Sequence, residues 1–347
     1  MNKLLIFVLA LAIASCGSSS KNKEKVSLAG AGATFPLPYY NLAFKTYQDS
    51  TGNSITYGGI GSGGGIRSLK DKIVDFAGSD AFLSEQEMSE MPATIHIPTC
   101  MGAVVMAYNL PEVKDLKLTG EIVADIFLGK IKKWNDAKIK AVNPDAALPD
   151  KEVNAVYRSD GSGTTFVFSD YLSKVSPEWA SNVGTGKSLK WPAGIAAKGN
   201  PGVAGTISQT LGAIGYIGSE YAFALNIPVA QLQNQAGNYI TPNTESISAA
   251  ASADIPADTR TMITNSPAPD AYPISCFTWI IIYKEQAYAD RKITQAQGTI
   301  ELLNWMLGEQ AQSMTTKVHY SPLPVAAINN AKTALKTVTY NGEPILK

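Results

Sequence analysis

Asn154-Ala155-Val156-Tyr157-Arg158-Ser159-Asp160-Gly161-Ser162-Gly163-Thr164-Thr165-Phe166-Val167-Phe168-Ser169-Asp170-Tyr171-Leu172 reads as three successive elements. Asn154 to Tyr157 has the composition of a buried strand. Arg158 to Gly163 is a loop of charged, hydroxyl and glycine residues. Thr164 to Val175 reads as a helix. A strand that feeds a helix through a short polar loop is the unit of an α/β protein. The chemistry of this loop is specific. Hydroxyls and free N–H groups at a helix start favour an anion, and the helix dipole adds to them. Arg158 adds a planar fork that can meet two oxyanion oxygens at once. Asp160 stands where it can orient that fork from behind.

Working outward, two more loops repeat the arrangement. Ala29-Gly30-Ala31-Gly32-Ala33-Thr34-Phe35-Pro36 follows a short strand at Val26–Gly30 and precedes a helix from Leu37 to Tyr47. Thr34 is expected at the N-cap of that helix, with Pro36 in its first turn. Gly58 to Gly65 is a glycine run carrying Ser62, expected as a loop between the strand Ser54–Tyr57 and a helix from Ile66 to Lys72. Its Gly59-x-Gly61-x-x-Gly64 spacing satisfies a dinucleotide fingerprint, but so dense a glycine run satisfies many patterns. No P-loop lysine motif follows it.

Asp80 ends Phe76-Ala77-Gly78-Ser79-Asp80, just past a buried strand at Val74–Gly78. Beside an anion site a carboxylate repels fully ionised anions. It accepts a hydrogen bond only from an anion that still carries a proton. A buried acceptor facing an acceptor costs several kcal/mol, so Asp80 would select by repulsion. The plainer alternative is a turn residue or helix cap before Ala81-Phe82-Leu83-Ser84.

The rest of the chain continues the alternation. Strands are expected at Thr94–Ile97, Ala103–Tyr108, Gly212–Ile217 and Ile274–Tyr283, and helices at Ile122–Phe127, Ile300–Leu307 and Ala326–Leu335. At 347 residues the chain suits two lobes. Lysines and arginines number 29, and aspartates and glutamates also 29. That balance argues against nucleic acid as a partner. The two histidines, His96 and His319, have no cluster of metal-ligating residues around them in sequence, so neither a metal nor a cofactor is expected. Ser62 and Ser162 do not lie in G-x-S-x-G, which argues against an enzyme built on a serine nucleophile.

The N-terminal stretch points to export. Leu4 to Ala14 is an apolar run of signal-peptide length. It ends in Ile13-Ala14-Ser15-Cys16, which resembles a bacterial lipobox. Residues 1–15 are then a cleaved signal peptide and Cys16 the lipidated residue that anchors the chain to a membrane. An ordinary signal peptide with a nearby cysteine is the plainer alternative. Residues 16–25 read as a polar tether reaching roughly 15–18 Å as a random coil. In an exported chain Cys100 and Cys276, each just after a proline and before an apolar strand, either bridge adjacent strands or stay as two buried thiols.

These motifs together resemble the phosphate-binding protein of the high-affinity bacterial phosphate ABC transporter. The resemblance rests on Gly30–Pro36, Tyr57–Ile66, Val74–Ser84, Leu128–Asp136, Arg158–Leu172, Asn182–Gly194 and Gly212–Ile217, all in the same order. It implies the type II periplasmic binding-protein fold, an α/β fold with two lobes, a hinge and the ligand in the cleft. Residues 26–104 with 273–347 would form one lobe and 105–272 the other. It implies inorganic phosphate as ligand, held by Thr34, Phe35 (through its N–H), Ser62, Asp80, Arg158, Ser162, Gly163 and Thr164, with Asp160 supporting Arg158. It further implies a monomer, outside the cytoplasm, that delivers phosphate to membrane permease subunits. Three other readings remain open: a binding protein for sulfate or molybdate, an exported phosphohydrolase on the same scaffold, and a surface adhesin or signalling protein that keeps the fold.

Overall fold

The structure, a computed structural model, describes residues 25–251 and 254–346. The expected signal peptide, Cys16 and nearly all of the tether lie outside the described residues. The chain begins β1 (Ser27–Gly32), α1 (Leu37–Thr51), β2 (Ser54–Gly59), α2 (Ser62–Lys70), β3 (Phe76–Ser79) and α3 (Glu85–Ser89). Strand β4 (Thr94–Tyr108) leads into β5 (Lys117–Leu118), α4 (Gly120–Phe127), α5 (Ala137–Val142), β6 (Asn154–Arg158), α6 (Gly163–Val175) and α7 (Pro177–Asn182). Then come β7 (Ile195–Ala197), α8 (Gly199–Gln209), β8 (Ala213–Gly218), α9 (Ser219–Ala224), β9 (Gln231–Gln233), β10 (Tyr239–Ile240) and α10 (Thr244–Ala249). Strand β11 (Ser275–Tyr283) returns, and helices α11 (Ile293–Met306), α12 (Glu309–Gln312) and α13 (Val325–Leu335) follow.

Eight strands pair in the order β2-β1-β3-β11-β4-β8-β6-β7. The 15-residue β4 joins the two halves. Its first part, Thr94 to Ala103, pairs with β11, and its last part, Val104 to Tyr108, pairs with β8. The sequence suggested two strands here, Thr94–Ile97 and Ala103–Tyr108, where the structure has one. The backbone stays extended through Pro98, and the register against β11 shifts between Thr278 and Trp279, where Trp279 faces Pro98. A bulge absorbs the missing donor. Both strands are buried almost throughout. Trp134, Trp179 and Trp279 lie fully inside the core.

Two local expectations need correction. Pro36, not Thr34, is the N-cap of α1, and no side chain caps that helix. Thr34 is turned instead toward Asn200, as described below. Helix α2 begins at Ser62, so the second half of the glycine run is helical. Its weak helix propensity is overridden by packing. A Cβ on Gly65 would lie 2.4 Å from the backbone of Ala31 and Gly32, so only glycine lets α2 rest on β1 this closely.

The disulfide alternative is also corrected. Cys100 and Cys276 are free and buried. They lie on paired strands, but Cys100 faces Thr278 and Cys276 faces Gly102. That offset of two residues makes them diagonal neighbours. Diagonal Cα atoms stand about 7–8 Å apart, beyond the usual reach of a disulfide.

Candidate functional site

The ends of β1, β3 and β6 and the starts of α2, α6 and α8 converge on one buried point. Thr34, Phe35, Ser62, Asp80, Arg158, Ser162 and Thr164 are all at most 5% exposed there. Ser162 is the N-cap of α6, and its hydroxyl accepts the Thr165 N–H at 3.0 Å. Gly163 opens the helix, and its N–H donates to Ser62 Oγ at 3.0 Å from across the cleft. A Cβ on Gly163 would come within 2.6 Å of that oxygen and 2.7 Å of the Asp80 nitrogen. Glycine is what allows the two sides to meet.

Arg158 closes β6. Its backbone N–H donates to Tyr216 Oη at 3.0 Å, and Tyr216 Oη lies 2.7 Å from Thr165 Oγ1. One tyrosine of β8 therefore pins both the strand end and the helix start. The guanidinium is gripped from one side by Asp160, with Nε donating to Oδ1 at 2.7 Å and Nη2 to Oδ2 at 2.5 Å. Its remaining nitrogen, Nη1, donates to Thr164 Oγ1 at 3.4 Å. Burial pushes the Asp160 carboxyl up, but hydrogen bonds from Arg158, its charge and the Gly199 N–H outweigh burial and hold the carboxyl below its ordinary value. Asp160 is an ionised partner that aims the fork.

Asp80 has the opposite environment. Thr278 donates to Oδ1 at 3.0 Å and Thr164 to Oδ2 at 3.2 Å. Burial pushes its pKa up to about 7, and the hydrogen bond from Thr278, the charge of Arg158 and the hydrogen bond from Thr164 only partly offset that. It is no helix cap; Ser84 caps α3. The Arg158–Asp160 pair is internally neutral, and burial raises the Asp80 carboxyl toward neutrality. The site therefore offers N–H and O–H donors rather than surplus positive charge.

Several residues that the sequence reading missed complete the site. Asn200, the second residue of α8, donates to Thr34 Oγ1 through both its N–H and its Nδ2, each at 3.0 Å, and to Thr164 Oγ1 at 3.2 Å. The Gly218 N–H donates to Asn200 Oδ1 and locks its amide. Tyr221 Oη and Tyr320 Oη donate to the carbonyls of Thr34 and Phe35, both at 2.5 Å. Tyr320 also meets the Phe35 ring edge-on, with centroids 6.0 Å apart. Glu220 is buried, and burial raises its pKa well above the ordinary carboxylate range, which its own N–H and the nearby Tyr320 hydroxyl only partly offset. Asn200 had a signal: Lys198-Gly199-Asn200-Pro201 is another polar helix start after a strand. Tyr320 had none, since it lies far along the chain.

Comparison with known proteins bears on the family and the fold. The PBP superfamily domain matches residues 17–310. The chain is 43% identical over 297 residues to a phosphate-binding protein of Xylella fastidiosa, covering 84% of this chain and 80% of that protein. The chain belongs to the phosphate-binding protein family. A second relative, from Haemophilus influenzae, is 40% identical over 312 residues, covering 88% of this chain and 91% of the relative. Among solved structures, a phosphate-binding protein from Stenotrophomonas maltophilia superposes with a TM-score of 0.67 at 21% identity, covering 88% and 93% of the two chains. A phosphate ABC transporter substrate-binding protein from Clostridium perfringens, solved with bound phosphate, gives 0.64 at 17% identity and covers 86% and 100%. At those identities the structures speak for the fold, which is the two-lobe α/β fold expected from the sequence.

Proposed function

We propose that this family member captures inorganic phosphate outside the cytoplasm and hands it to the permease of an ABC transporter. One observation carries the reading: donor groups from both sides of the cleft and one carboxylate not paired to a cation, Asp80, meet at one buried point. Thr34, the Phe35 N–H, Ser62, Arg158, Ser162, Gly163 and Thr164 supply the donors. Residues 26–104 with 273–347 form one lobe, and 105–272 the other. A ligand that touches both lobes favours the closed state by its differential contacts. The Asp80 carboxylate accepts a hydrogen bond from the protonated oxygen of phosphate, and repels sulfate, which has no such hydrogen to donate.

A hydrolase reading has little to work with. The Ser162 hydroxyl accepts the Thr165 N–H as the cap of α6, and no histidine or carboxylate of the described residues hydrogen-bonds to it. His96 Nε2 accepts the Leu83 N–H, and burial holds its pKa down to about 3, so it is a neutral structural acceptor. No helix of the described residues is long and apolar enough to cross a membrane. We assign membrane attachment to lipidated Cys16, and a Cys16→Ala chain should leave the membrane fraction. Calorimetry with phosphate, sulfate and molybdate tests the ligand. One site for phosphate with far weaker sulfate binding is expected; equal binding would overturn the role of Asp80.

A further inference from the structure

Resting on the functional reading above, we infer that Glu87 and Lys187 form a clasp across the cleft mouth that sets how long a captured ligand is held. Lys187 Nζ donates to both carboxyl oxygens of Glu87, at 2.5 and 2.6 Å. Glu87 lies in α3, on the Asp80 side. Lys187 lies on the Arg158 side. The pair is not a loose surface contact, since the side chains are only 30% and 18% exposed.

Each partner is built into a ligand loop. Glu87 completes a capping box with Ser84, four residues after Asp80: its carboxylate accepts the Ser84 N–H at 2.9 Å, and Ser84 Oγ accepts the Glu87 N–H. The carbonyl of Lys187 accepts the Ser162 N–H at 2.8 Å. The ion pair thus ties the loop after Asp80 to the loop that shapes the start of α6. Burial pushes the Glu87 carboxyl up, but the hydrogen bond and charge of Lys187, together with Ser84, bring it below its ordinary value. It stays charged throughout the neutral range.

A contact across the cleft exists only when the two sides meet. Its free energy therefore adds to closure alone and appears as slower release rather than faster capture. The clasp also lies beside Gly63 and Gly161, whose own backbone hydrogen bond spans the cleft at 2.9 Å. Opening must break both.

The test uses Glu87→Gln, which keeps the capping oxygen, and Lys187→Met, which keeps the stem. Stopped-flow phosphate release should speed up about tenfold in each, the change that ~1.4 kcal/mol produces. The association rate should stay within about twofold, as rates of one interface vary mostly in dissociation. The double variant should release no faster than the singles, and exchanging the charges (Glu87→Lys with Lys187→Glu) should recover much of the loss. Unchanged release in the singles, or effects that simply add in the double, overturns the clasp. If the wild-type chain takes up no phosphate, the functional reading fails. The clasp is then judged by X-ray scattering of the unliganded chain: expansion in both variants supports it, and an unchanged radius of gyration overturns it.

Discussion

Two aspartates face the same buried point from opposite sides of the cleft, and their environments drive them apart. Asp160 belongs to the Arg158 side. It is two residues from its cation, takes two hydrogen bonds from it and a third from Gly199, and stays ionised. Asp80 belongs to the other side. It receives only neutral hydroxyl donors, and burial lifts it to about 7. The first carboxylate is consumed in aiming a guanidinium. In the proposed site the second is left unpaired by any cation, so that a proton on the ligand would decide whether it attracts or repels. Similar side chains do different work because one is paired within its own loop and the other is not.

The largest effect should come from breaking the paired side. Arg158→Ala removes the fork and should weaken phosphate binding by about 3 kcal/mol or more, since charge-assisted hydrogen bonds contribute roughly 1.5–3 kcal/mol each. Titration calorimetry measures this, and unchanged affinity would remove Arg158 from the site. On the poised side, Asp80 costs stability in the unliganded chain. Its folded pKa is raised, so the native state holds a proton that the unfolded chain has lost, and stability declines as pH rises from about 4 toward 7. Asp80→Asn should therefore stabilise the unliganded protein by about 2–4 kcal/mol at pH 8, with the gain fading toward pH 4. Urea unfolding at the two pH values checks it; an equal gain at both would contradict the raised pKa.

Selectivity should respond next. Asp80→Asn should narrow the preference for phosphate over sulfate about 10- to 100-fold, since an amide can donate to sulfate where a carboxylate repels it. In the wild-type chain, sulfate affinity should rise as pH falls through 7, where Asp80 gains its proton, and the variant should lose that dependence. A flat wild-type profile would mean that Asp80 does not face the anion. The smallest effect concerns the thiols behind the site. Because Cys100 and Cys276 are diagonal and unbridged, a reducing agent should leave the melting temperature unchanged within about 1 °C, whereas loss of a bridge would cost about 2–5 kcal/mol.

Much of the site was legible because its groups are local. Arg158, Asp160, Ser162, Gly163 and Thr164 lie within seven consecutive positions, and a strand-to-helix turn places them without help from the rest of the chain. The α/β alternation was legible for the same reason, since strand and helix periods are written in neighbouring residues. The failures are those where a distant partner won. Ser62 to Gly65 has poor helix propensity, and only contact with β1 makes it the first turn of α2. Thr34 is a good N-cap by type, yet Asn200 takes its hydroxyl. Pro98 looks like a strand end, and a bulge opposite β11 carries the strand through it.

The sequence by itself determined the fold class, the three anion-favouring helix starts and the fork of Arg158, because propensity, capping chemistry and short spacings act within a turn or two of chain. Tertiary structure alone decided that burial raises the Asp80 carboxyl, which tyrosines hold the Thr34 and Phe35 carbonyls, and that the two cysteines miss one another. The Asp80 pKa depends on burial by residues from both sides of the cleft, and strand register depends on pairing across more than 150 residues of chain. Both are properties of what is brought near, and nearness across the chain exists only once it has folded.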